Sequence, residues 1–128
     1  MFFNAPGARF QKFRIKNAMV TIAEFRKQAL SFPETTEQPH FEKTSFRVRK
    51  KIFATLDKKE NRATLKLNEI DQDVFTKIGP DVIYPVPNKW GKQGWTFVHL
   101  GKVRPEILTD ALTTAFNEVA PKKLIIKI

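Results

Sequence analysis

The chain has 128 residues, with 23 lysines and arginines against 13 aspartates and glutamates, a formal charge of +10 and no cysteine. That length is one domain with room for an ordinary core. The lack of cysteine removes disulfides, thiolate nucleophiles and cysteine metal sites and fits a reducing cytoplasm. No apolar run approaches the roughly 20 residues that span a bilayer, so no membrane role is expected, and the excess positive charge points to nucleic acid or an acidic protein as partner.

Residues 1–18 carry Arg9, Lys12, Arg14 and Lys16 among phenylalanines and no acid, without the continuous apolar core of a secretory signal. A helix is expected directly after Met19. Thr21 can cap it, Glu24 completes a capping box, and Val20 and Phe25 have the spacing of a hydrophobic staple, giving a helix over about 22–31 that Phe32 and Pro33 end. Residues 1–18 therefore read as an upstream extension set by the choice of start codon; the alternative is a basic arm that grips phosphates. The domain is expected over 19–124, with 125–128 as a short tail.

Glu34 to Glu42 is polar, contains Pro39 and His40, and reads as a connecting loop. Three antiparallel strands follow. Phe46 and Val48 alternate with Arg47 and Arg49; beyond a tight hairpin near Lys50, Ile52, Ala54 and Leu56 share one face and Phe53 and Thr55 the other. After a polar reversal at 57–61, Ala63, Leu65 and Leu67 alternate with Thr64, Lys66 and Asn68. Ile70, Val74 and Ile78 recur at helical spacing between Asn68, a plausible cap, and the Gly79-Pro80 stop. Val82, Tyr84 and Val86 form a fourth strand that Pro85 and Pro87 confine to an edge, 88–94 is a glycine-bearing loop, and Trp95 to Leu100 reads as a fifth strand buried on both faces. Pro105 opens a last helix whose stripe is Leu108, Ala111, Leu112, Ala115, Phe116 and Val119; Pro121 ends it, before a tail with the composition of a short strand.

PheArgVal at 46–48, LysIlePheAla at 51–54, ThrLeuLys at 64–66, TrpGlyLysGlnGlyTrpThr at 90–96 and ValAlaProLysLysLeu at 119–124 resemble the MmcQ/YjbR family of small prokaryotic proteins. The likeness covers about 19–124. It departs from the family at Lys50, where a hairpin glycine is usual, which leaves the turn type open. The resemblance implies a two-layer α+β domain with a five-stranded antiparallel sheet and three helices in the order α-β3-α-β2-α, similar to secretion-chaperone-like folds and compared with double-wing DNA-binding domains. It implies no assigned biochemical role.

No catalytic constellation appears. His40 and His99 are the only histidines, too few for a structural zinc site without converging carboxylates, and His99 reads as a hydrogen-bonded structural residue. Ser31 and Ser45 have no partner at motif spacing, and Gly91 and Gly94 make no phosphate loop, so neither a metal nor a cofactor is expected. The leading reading is a non-enzymatic nucleic-acid-binding, DNA-binding domain. Arg47, Arg49, Lys50, Lys51, Lys58, Lys59 and Arg62 would neutralise phosphates, and Lys89, Trp90 and Lys92 would flank them. In the competing structural reading these lysines protect a sheet edge, Trp95 anchors the core and Trp90 covers it. Two further classes stay open: a protein-interaction or dimerisation module, and a small-ligand binder or enzyme with a pocket between sheet and helices.

Overall fold

The computed structural model describes residues 19–127; the expected extension or basic arm over 1–18 lies outside them. The first helix, α1 (Ile22–Leu30), begins as its capping box requires. Thr21 Oγ1 accepts the Glu24 amide at 3.1 Å, and the Glu24 carboxylate accepts the Thr21 amide at 2.8 Å. Val20 and Phe25 are both buried, and the Val20 amide donates to the Leu100 carbonyl, tying the start of the helix to the sheet.

Six strands form one antiparallel sheet: β1 (Thr35–His40), β2 (Lys43–Val48), β3 (Lys51–Asp57), β4 (Arg62–Lys66), β5 (Ile83–Pro85) and β6 (Trp95–His99), in the order β1-β2-β3-β4-β6-β5. The sheet therefore has one strand more than the sequence pattern shows, because most of the expected loop at 34–42 is β1, paired from Thr35↔Val48 to His40↔Lys43. ThrThrGluGlnProHis has no apolar alternation, and an edge strand needs none. Only one of its backbone edges must pair, so Pro39 is tolerated there.

The β2–β3 turn is Arg49 and Lys50 at φ 48° and 74°, the doubly left-handed pair of a two-residue type I′ hairpin, formed here without glycine. Further along the same pair, Phe46 faces Ala54 but Arg47 faces Ile52, so Phe53 is the extra residue of a β-bulge. The bulge changes the expected phase of β3. Phe53, Ala54 and Leu56 all lie in the core, whereas Ile52, opposite Arg47, turns to the other face with Thr55.

All three long helices cover one face of the sheet. Phe25 of α1 meets Phe46 edge-on at 5.7 Å, and Phe32 stacks on Phe116 of α4 (Pro105–Val119), which meets Phe53 at 5.4 Å. Burying each such side chain contributes about 1.5–3 kcal/mol. The stripe Leu108, Ala111, Leu112, Ala115 and Phe116 is buried as its spacing requires. Between them, α2 (Glu69–Thr76) is capped by Asn68, whose side chain accepts the Asp71 amide at 2.8 Å. A fourth helix, the single turn α3 (Lys89–Lys92), forms within the expected 88–94 loop. Past α4, the chain makes a 3₁₀ turn at Lys122–Leu124 and then runs pinned by Asn117, which bonds both the Ile126 amide and carbonyl, so the described part of the tail adds no strand.

Among the described residues no layer covers the other face of the sheet. In β6 only Thr96 and Val98 are buried, while Trp95, Phe97 and His99 are half-buried on the open side. A strand buried on both faces was expected because Trp-Thr-Phe-Val-His is apolar in both phases; one phase is left to a surface.

Candidate functional site

The open face collects alternate residues of the four inner strands: Lys43, Ser45 and Arg47 from β2; Ile52, Thr55 and Asp57 from β3; Arg62, Thr64 and Lys66 from β4; and Trp95, Phe97 and His99 from β6. A groove of about 460 Å³ crosses it. Trp90, Trp95, Phe97, Ile52 and Val86 make its apolar wall and floor, Thr55 and Thr64 line its middle, and His40 and Lys43 its far end. This hollow lies on the side of the sheet away from the helices.

Two glycines hold the tryptophan end together. A Cβ at Gly91 would lie 1.9 Å from the Val86 carbonyl oxygen, so only glycine lets α3 sit against the strand that precedes it. Gly94, at φ 102°, would place a Cβ 1.7 Å from the Leu67 oxygen, and its own carbonyl accepts the Leu67 amide at 3.0 Å. Trp90 on one side and Trp95 on the other are thereby brought to one groove. Trp95 is not the core anchor of the structural reading, and Trp90 remains 49% exposed with the Lys89 ammonium 5.6 Å from its ring.

The cations of this face form no ion pair among the described residues, although Asp57 stands opposite Arg62 in the β3–β4 register. The guanidinium of Arg62 lies over the Phe97 ring at 3.9 Å from its centroid, Arg47 Nε donates to Ser45 Oγ at 2.9 Å, and Lys66 Nζ donates to the Leu67 and Gln93 carbonyls. None of these, nor Lys43, belongs to the ion pairs found among the described residues. Arg62 and His99 face each other across β4 and β6, and both Arg62 Nε and His99 Nδ1 are buried without a hydrogen-bond partner among the described residues. The hydrogen bond expected of a structural histidine is not made by His99 Nδ1 among the described residues.

The turns are different. Arg49 is held by Glu34 through two hydrogen bonds, at 2.7 and 3.2 Å, which raises its pKa and holds the Glu34 carboxyl below its ordinary range. Lys50 and Lys51 are exposed beside it. Lys58 and Lys59 occupy the β3–β4 turn at the other end of β3, about 23 Å away for a seven-residue strand, and Lys59 lies 3.9 Å from Glu42. Of the ten residues singled out in the sequence, Arg47, Arg62 and Trp90 come to the open face, and Lys89 and Lys92 flank it on α3. The five turn residues split between opposite ends of the sheet. Lys43, Lys66, Trp95 and Phe97 join the face without having been singled out; the alternation of β4 and β6 carried that information for the last three.

Among the described residues no three of His, Asp or Glu converge as a metal-binding set. Both serines spend their hydroxyls on backbone carbonyls, Ser31 on Gln28 and Ser45 on Gln38. No described helix is long and apolar enough to cross a membrane.

The crystal structure of Deinococcus radiodurans protein DR2400, a DUF419 domain, matches with a TM-score of 0.71 over 82% of each chain at 24% identity, a likeness of fold. No curated protein matches the chain. The family model described as YjbR matches residues 30–118, from the end of α1 almost to the end of α4. Every strand of the sheet, the two-tryptophan loop and the groove they build fall inside that match, and the chain belongs to the YjbR family.

Proposed function

We propose that the protein is a non-enzymatic binding domain whose open sheet face takes a single strand of nucleic acid. The observation that carries this reading is the coincidence of aromatic surface and unpaired cations. Both tryptophans of the chain line one groove, and Lys43, Arg47, Arg62 and Lys66 on the same face have no carboxylate partner among the described residues. Bases stack on indole faces whatever their sequence, while guanidinium and ammonium groups neutralise the phosphates between them. A duplex keeps its bases inside and fits less well, since the turn cations that would follow its two backbones stand at opposite ends of β3.

Because Trp90 and Trp95 are the only tryptophans, intrinsic fluorescence reads the groove directly. Titration with oligothymidylate is expected to quench it, and Trp90→Ala is expected to weaken binding by about 1–3 kcal/mol, the usual worth of one base stacked on an aromatic ring. Heparin binding as tightly as the oligonucleotide, with no quench from either, would sink the proposal.

A further inference from the structure

Helix α2 is seated with its aliphatic side outwards. Gln72 is the residue that faces the sheet, its side-chain amide donating to the Gly91 and Trp95 carbonyls and to Thr96 Oγ1 at 2.9, 3.3 and 3.0 Å, with Phe75 packed beside it against the core. Ile70 and Val74, one turn apart on α2, are 75% and 55% exposed, and Ile78, just past the end of the helix, is 52% exposed. A helix that turns a half-buried glutamine to the sheet and shows aliphatic side chains to water has the pattern of a surface made for a partner. The ridge is also acidic: Glu69 and Asp71 stand in an eight-residue helix of a chain whose overall charge is +10, beside Asp73, which pairs with Lys77 at 2.9 Å.

We infer that this ridge docks into the open-face groove of a second copy of the chain. The two surfaces complement each other in both charge and polarity. Ile70, Val74 and Ile78 meet the tryptophan-lined floor, and Glu69 and Asp71 meet cations that form no ion pair among the described residues of their own chain. The sizes agree: the eight-residue helix is about 12 Å long, and the groove crosses from β6 to β1, about 19 Å at the usual strand spacing. Pairing two α2 ridges with each other would set like charges face to face, so the complementary contact is favoured. Made twice about a two-fold axis, it doubles its area toward the roughly 800 Å² per partner of a stable interface. An acidic helix in that groove occupies the place of a polyanion. On the nucleic-acid reading, on which this last step rests, self-association is therefore a brake that a single strand must displace.

Sedimentation of the full chain at low salt, over about 1 to 100 µM, should show a concentration-dependent dimer that added salt weakens. Ile70→Ser with Val74→Ser, at exposed positions that leave the core alone, and separately Trp90→Ala, should each loosen association by about tenfold. An equimolar mixture of the two variants should associate more strongly than either alone, because one supplies an intact groove and the other an intact ridge. A monomer at every concentration, a dimer indifferent to both variants, or a mixture no better than its components would each overturn the contact. Oligothymidylate that quenches the tryptophans without dissociating the dimer would overturn the competition. A dimer that behaves as described in a protein that binds no oligonucleotide would sink the nucleic-acid reading alone.

Discussion

Lys50 stands at φ 74° with no side-chain partner among the described residues, next to Arg49 at φ 48°, whose bond to Glu34 explains its place in the turn. A left-handed non-glycine residue costs roughly 1–2 kcal/mol, and glycine returns about 0.5–1 of that through its freer unfolded chain. Lys50→Gly should therefore raise stability by about 0.5–1 kcal/mol in urea denaturation, whereas Arg49→Gly forfeits the Glu34 pair and should gain less. Glu37 makes a second local prediction. Both its oxygens accept from Arg26, at 2.7 and 2.9 Å, and this hydrogen bonding, aided by the guanidinium charge, lowers the Glu37 pKa. A carboxyl whose folded pKa is depressed stabilises the fold above its unfolded pKa, and that contribution is lost as pH falls through the lower, folded value. Glu37→Gln should thus be less stable than the parent chain at neutral pH and indistinguishable from it once both are measured below that value. A gap that persisted at low pH would mean that the carboxylate charge is not what matters.

Elements whose apolar residues all face one way were legible: α1 from its capping box, α4 from its stripe, and β4 from its alternation. Those that failed did so for identifiable reasons. β1 is an edge strand whose wet side and partly covered side are both polar, so its residues carry no periodic signal. The bulge at Phe53 adds one residue to β3, and periodicity cannot say where an extra residue enters a strand that is apolar in both phases. α2 has helical spacing, yet spacing alone does not say which side goes in, and the hydrogen bonds of Gln72 decide it. Gly91 in α3 and Gly94 just after it are set by contact with the preceding Val86 and the distant Leu67, and they yield the sharpest test at this scale. Gly91→Ala drives a methyl into the Val86 carbonyl, so α3 must lift and carry Trp90 with it. A loss of about 1–3 kcal/mol is expected from such overpacking, along with a red shift of tryptophan emission as the groove opens; a variant with unchanged spectrum and midpoint would show that α3 can adjust without moving the indole.

Across the whole molecule the acids are not spread evenly over the cations. Glu34, Glu37, Glu42, Asp73, Asp81 and Glu106 pair with Arg49, Arg26, Lys59, Lys77, Lys102 and Arg104, at turns, on helices or on the helix side of β1. Lys43, Arg47, Arg62 and Lys66 of the open face belong to none of these pairs, and one acid, Asp57, shares the strand phase of Arg62. That division could not be read from a count of +10 or from runs of lysine, because it depends on which strand phase each cation occupies and on which acid folds beside it. Arg47 and Arg62 belong to the face by alternation, whereas Lys58 and Lys59 are abundant in the text and remote in space. The consequence is measurable as salt dependence. Each phosphate neutralised on a single strand contributes about 0.7 to the slope of log affinity against log salt concentration. Lys43→Gln or Arg47→Gln should each flatten the slope for oligothymidylate by about that amount, whereas Lys51→Gln and Lys58→Gln, at the two ends of β3, should leave it unchanged. Equal flattening by all four would mean that the chain attracts the polyanion through its net charge and not through this face.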